Sequence, residues 1–154
     1  MSSIHIYIDA DACPVKDETY KVAYRTEVAV TLVSNSFIRI PDHPLIDRIV
    51  VSDKFDAADD YIADKVDARS IVITADILLA ERCIASGARV LAHNGKPFTE
   101  NSIGSAVATR AIMADLRAGM GSENIGGPKP FGKADRSQYL SALDQIITQL
   151  RRVS

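Results

Sequence analysis

Short runs of β-branched and aliphatic residues alternate with helix-patterned stretches along the chain, and this alternation restricts the fold more than any other feature. Ile4-His5-Ile6-Tyr7-Ile8, Val28-Ala29-Val30-Thr31-Leu32-Val33-Ser34, and residues 48–52, 70–75 and 89–92 read as strands. Helices are expected from Pro14 to about Arg25, with proline at the favoured first position. Others are expected at about 56–67, at 77–86 before Gly87, from about Asn101 to Ala118, and from about Ala134 to Arg152. Repeated strand–helix units with near-continuous Val/Ile strands predict an α/β fold. Its mainly parallel five-stranded sheet, in order 3-2-1-4-5, is covered by helices on both faces. The weakest link is 35–47, which contains Pro41 and Pro44 and shows no helix pattern. At 154 residues without internal repeats, the whole of 1–154 reads as a single domain.

Two of these strands run into aspartate. The first leads into Asp9-Ala10-Asp11-Ala12-Cys13-Pro14 and the other, Ile71-Val72-Ile73-Thr74-Ala75, into Asp76. In the expected order strands 1 and 4 are neighbours at the topological switch point, where the carboxyl ends of parallel strands line a ligand crevice. Asp9 and Asp76 are therefore expected side by side, and clustered carboxylates are the usual ligands of Mg²⁺ or Mn²⁺.

A third carboxylate is expected from the helix at 56–67. Asp59 shares the apolar face with Ile62, Ala63 and Val66, whereas Asp60 and Asp64 line up towards solvent. Asp59 is read as a metal ligand or as a first-turn acid complementing the helix dipole. Asp56 is read as an N-cap rather than a ligand, and Asp76 as a ligand or a cap. Asp11 is a turn-former or a supporting acid, and Cys13 an inert buried thiol. Asn35 falls at the carboxyl end of strand 2, on the same rim, as a substrate-orienting or turn residue.

The net charge of −2 is unevenly spread: residues 1–95 carry 10 basic and 15 acidic side chains, residues 96–154 carry 8 and 5. Arg110 shares a helix face with Ile103, Val107 and Ala114, with Arg117 further along the same face. An arginine in an apolar stripe needs an anionic partner, either substrate phosphate or an aspartate of the chain itself. The segment Gly126-Gly127-Pro128-Lys129-Pro130-Phe131-Gly132-Lys133 is basic and reads as a substrate cover or a linker. Cys13 and Cys83 form no metal-ligand spacing, and His5, His43 and His93 receive no role. With no apolar leader or run approaching about 20 apolar residues, a cytoplasmic protein with no membrane partner is expected.

Asp9-Ala10-Asp11-Ala12-Cys13-Pro14 resembles the YaiI/YqxD family of uncharacterised bacterial proteins. So do Phe55-Asp56-Ala57-Ala58-Asp59, Val72 to Ala80, Met113-Ala114-Asp115-Leu116-Arg117, Gly126-Gly127-Pro128 and Asp135-Arg136, in the family's order. Leu78 stands where the family form has proline. The family is similar to PIN-like domains, metal-dependent nucleases acting mostly on RNA. That resemblance implies a three-layer α/β/α fold with carboxylates at Asp9, Asp59 and Asp76.

The expected function is divalent-metal-dependent hydrolysis of phosphodiester bonds, with RNA as partner. Asp9, Asp59 and Asp76 would hold Mg²⁺ or Mn²⁺, Asp11 would assist, and Asn35, Arg110, Arg117, Lys129 and Arg136 would contact substrate. Two alternatives stand beside it. Asp9-x-Asp11 resembles the haloacid-dehalogenase phosphatase motif, with Asp9 as nucleophile. A non-catalytic RNA-binding or regulatory protein would keep the fold and charge without chemistry.

Overall fold

Isoleucines at positions 4, 6 and 8 place the first strand, β1 (His5–Asp9), at the centre of the sheet. Ile6 and Ile8 are fully buried, while His5, Tyr7 and Asp9 on the alternate face are half-buried. The computed structural model describes residues 3–54, 56–104 and 131–152. After β1 come a 3-10 turn (Ala10–Ala12), α1 (Lys16–Thr26), β2 (Ala29–Ser34), β3 (Ile46–Val50) and α2 (Ala57–Lys65). β4 (Ser70–Ile73), α3 (Ile77–Ala85), β5 (Arg89–Leu91) and β6 (Pro97–Phe98) follow. Residues 100–104 are helical (α4), and α5 spans Lys133–Arg152.

The sheet order is β3-β2-β1-β4-β5-β6. Every pairing from β3 to β5 is parallel, with Ile8 opposite both Leu32 and Ile73. The expected 3-2-1-4-5 arrangement is therefore present, with one correction: the sheet has six strands. β6 adds antiparallel to β5, Val90 facing Phe98. Two residues give no readable alternation, so periodicity cannot reveal such a strand. The β5–β6 connection turns at Gly95, where φ is +86° and an added Cβ would lie 2.6 Å from the backbone of Gln138 in α5. Only glycine fits so close an approach.

Two apolar layers sandwich the sheet. Ile6, Ile8, Leu32, Ile71 and Ile73 pack against Tyr20, Val22 and Ala23 of α1 and Tyr139, Leu143 and Ile147 of α5. On the opposite face Val33, Val72 and Val90 pack against Ala58 and Ile62 of α2 and Leu79, Ala80 and Cys83 of α3. This is a three-layer α/β/α arrangement. A buried 2.6 Å hydrogen bond between Thr19 and Tyr139 ties α1 to α5. The exposed ion pair Arg25–Asp144, at 3.1 Å, adds little stability, and the part-buried pair Arg136–Glu18, also at 3.1 Å, joins the same two helices.

Element ends differ from expectation where side chains intervene. Pro14 is not the first helical residue, because the 3-10 turn precedes it and Val15 takes the cap position. β3 lies two residues earlier than expected, at Ile46–Val50. β4 ends at Ile73 rather than 75, since the Asp76 backbone N–H bonds the Thr74 hydroxyl at 3.0 Å and turns the chain into α3.

Candidate functional site at the carboxyl ends of the strands

β1 and β4 are adjacent, and beyond their last paired residues stand Asp9 and Thr74. Thr74, fully buried, donates its hydroxyl to Asp9 Oδ2 at 2.9 Å while accepting the Asp76 N–H. One hydroxyl thus fixes the orientation of Asp9 and the backbone of Asp76 together. Asp76 in turn caps α3, its Oδ1 accepting from Leu78 N at 2.9 Å and Leu79 N at 3.2 Å. The cap reading of Asp76 is realised, and both cap bonds fall on the one oxygen.

These groups open onto a cavity of about 580 Å³ lined by Asp9, Asp11, Asn35, Asp56, Asp59, Asp76 and Arg82, together with Ala58, Leu78 and Leu79. The expected carboxylates therefore line one pocket, joined by two residues sequence reasoning gave other roles or none. Asp56 holds the cap position of α2 at φ 68°, yet its side chain makes no cap hydrogen bond. Arg82 pairs with Asp60 at 2.9 Å. A signal for Arg82 existed: it lies three and four residues after Leu79 and Leu78, on the α3 face that lines the pocket. Asp60 and Asp64 are exposed as expected.

Asp11 accepts the Asn35 backbone N–H with both oxygens, at 3.2 and 3.1 Å, and so fastens the loop after β2 to the rim. The Asn35 amide reaches Ser52 O at 3.5 Å. Arg136 is not among the pocket-lining residues. Its guanidinium binds Pro14 O at 2.7 Å and Glu18 at 3.1 Å, and stacks on Phe131. Arg136 is thus held by Glu18 and the Pro14 carbonyl, outside the lining of the pocket that the other described site residues share. Arg110, Arg117 and Lys129 lie outside the described residues.

The electrostatics reflect five aspartates against one arginine. Burial pushes the Asp9 carboxyl above the usual range; the Thr74 hydrogen bond opposes the shift, and Asp76 and Asp11 add to it. Asp59 is pushed up to about 6, first by burial and then by the charges of Asp76, Asp9 and Asp56, with Arg82 acting the other way. Cys13 is buried and its thiol is pushed up to about 11, in keeping with an inert role.

The donors around the pocket are carboxylate, amide and hydroxyl oxygens, the hard set that Mg²⁺ and Mn²⁺ take. Among the described residues no three His, Cys, Asp or Glu side chains stand together closely enough to hold one ion between them. Mg²⁺ keeps several waters and needs only one or two direct carboxylates. The residues present fit a hydrated hard cation rather than one stripped of water.

Fold and site together define a three-layer α/β protein with a carboxylate-lined crevice at the switch point of its sheet. The family described as "Uncharacterized BCR, YaiI/YqxD family" matches residues 7–149, and the chain belongs to that family. It is 64% identical to a UPF0178 protein of Sphingopyxis alaskensis over 152 residues, 99% of this chain and 98% of the relative. It is 57% identical to a UPF0178 protein of Nitrobacter winogradskyi over 99% of this chain and 96% of the relative. A UPF0178 protein of Jannaschia sp. is 55% identical over 95% of this chain and 94% of the relative. No solved structure matches the chain. No helix among the described residues is long and apolar enough to cross a membrane.

Proposed function

We propose that the chain is a PIN-like, divalent-metal-dependent nuclease that hydrolyses phosphodiester bonds in RNA. The observation that carries this reading is the gathering of Asp9, Asp59 and Asp76 on one crevice, with Asp9 and Asp59 both held above the ordinary carboxylate range. Carboxylates so placed repel one another, and a cation relieves the repulsion. One or two of Asp9, Asp59 and Asp76 would hold Mg²⁺ or Mn²⁺ directly, and the others would reach its waters. The chemistry such an ion supplies when bound is Lewis acidity, which activates water and offsets charge on the phosphate.

The chain's own groups do the rest. Thr74 keeps Asp9 turned towards the crevice, Asp11 anchors the Asn35 rim, and Arg82, paired with Asp60, sets one cation against the five aspartates. RNA as substrate follows from the likeness to PIN-like domains. Free, buried Cys13 and Cys83 accord with action in the reducing cytoplasm.

The test is incubation of an end-labelled single-stranded RNA with the protein in Mg²⁺, Mn²⁺ or chelator. Shortened products in either ion, absent in chelator and in Asp9→Asn, are expected. No product in either ion, or equal product in chelator, would overturn the proposal.

A further inference from the structure

The loop leaving the Asn35 rim carries the most exposed large apolar side chain among the described residues: Phe37 is 69% accessible. Its ring is not simply loose in solvent. The Arg48 guanidinium from β3 sits 4.1 Å from the ring centroid, and Arg48 Nη1 also donates to Ile38 O at 3.4 Å. One face of the ring is thus backed by a cation held to the loop, and exposed Arg39 follows two positions on. Asn35 lines the acidic pocket, and two residues of chain reach at most about 7 Å. An aromatic face backed by a guanidinium, on the loop that leaves the crevice proposed to cut phosphodiesters, has the chemistry of a base-stacking platform.

We infer that Phe37, backed by Arg48, stacks an unpaired base of a single-stranded nucleic acid whose backbone enters the acidic pocket. The inference rests on the nuclease reading for the position of the cut, but not for the binding itself. A duplex keeps its bases stacked inside and offers the ring none, so the platform selects single strands over duplexes. Stacking is tolerant of sequence because every base has a π-face. The ring therefore adds base dependence to a contact otherwise made with phosphates.

The test is fluorescence anisotropy in low-salt buffer with chelator, so that binding is read without cleavage. The probes are a single-stranded RNA, the DNA strand of the same sequence, an abasic strand of equal length and the matching duplex. The parent is expected to bind one or both single strands at least several-fold tighter than the abasic strand or the duplex. The strand bound more tightly identifies the natural source of the base. Phe37→Ala and Phe37→Leu should weaken single-strand binding about tenfold, and Phe37→Tyr should retain it, because the π-face rather than apolar bulk is required. Abasic-strand binding should be alike in all four proteins. If the parent binds no single strand, or Phe37→Leu binds as the parent does, the inference is overturned, whatever the cleavage assay gives. Absence of metal-dependent cleavage with stacking intact would instead overturn only the nuclease reading.

Discussion

Thr74 Oγ1 donates to Asp9 Oδ2 at 2.9 Å across the seam between β1 and β4. The same oxygen accepts the backbone N–H of Asp76 at 3.0 Å, so one buried hydroxyl links the carboxylate at the end of β1 to the residue that caps α3. Thr74→Val keeps the shape but leaves the Asp76 N–H without its acceptor and Asp9 without its donor. A loss of about 1–2 kcal/mol is expected in chemical denaturation, with Thr74→Ser close to the parent. Equal stability of the valine variant would remove the hydroxyl from the account of the site.

Asp76 combines a cap with a site carboxylate, and two substitutions separate these roles. Asp76→Ala should cost about 1 kcal/mol without any ion present, because Leu78 N and Leu79 N lose their acceptor. Asp76→Asn caps nearly as well as aspartate and should keep that stability, while losing most of the stabilisation Mn²⁺ gives. Thermal melts of both variants with and without Mn²⁺ read the two effects independently.

The pH dependence follows from Asp59, whose carboxyl is pushed up to about 6 in the fold. A carboxyl with a raised folded pKa binds protons in the native state that the unfolded chain releases, so stability falls as pH rises from about 4 to about 6. The effect is on the order of 1 kcal/mol once screening of a partly exposed group is allowed for. Asp59→Asn should therefore melt about 2–4 °C higher than the parent at pH 7, with the difference vanishing near pH 4. A variant less stable than the parent at pH 7 would mean that Asp59 has a favourable partner rather than repelling neighbours.

Asp9→Asn removes a charge from the same repelling group while keeping an acceptor for Thr74. The apo variant should be as stable as the parent or more so. Mn²⁺ at a hundredfold its dissociation constant should stabilise the parent by about 2.7 kcal/mol and the variant much less. Destabilisation by Asp9→Asn together with indifference to Mn²⁺ would make Asp9 a structural residue.

Much of this arrangement could be read from residue order. Ile4, Ile6 and Ile8 ending in Asp9, and Ile71 to Ile73 leading to Asp76, mark two strands by composition and two acids by position. Parallel connection rules then make the strands neighbours. Asp59 could be separated from Asp60 and Asp64 by helical period alone. Thr74 was hidden because a β-branched residue at the end of such a run reads as one more strand position. Asp56 reads as a cap before a ligand, since the left-handed backbone that leaves its side chain without a cap bond makes no mark in sequence. Arg136 looked available because its partners, Glu18 and Pro14 O, lie more than a hundred residues away along the chain. Phe37 was overlooked for a similar reason: nothing local places Arg48 beneath it.

The central claim is that the acidic crevice holds a divalent cation, and calorimetric titration of Mn²⁺ into the apo protein tests it most directly. The account predicts saturable binding of one or two ions, competed by Mg²⁺ and weakened at least tenfold in both Asp9→Asn and Asp76→Asn. Heats no greater than dilution, or the same isotherm for the parent and both variants, would contradict it.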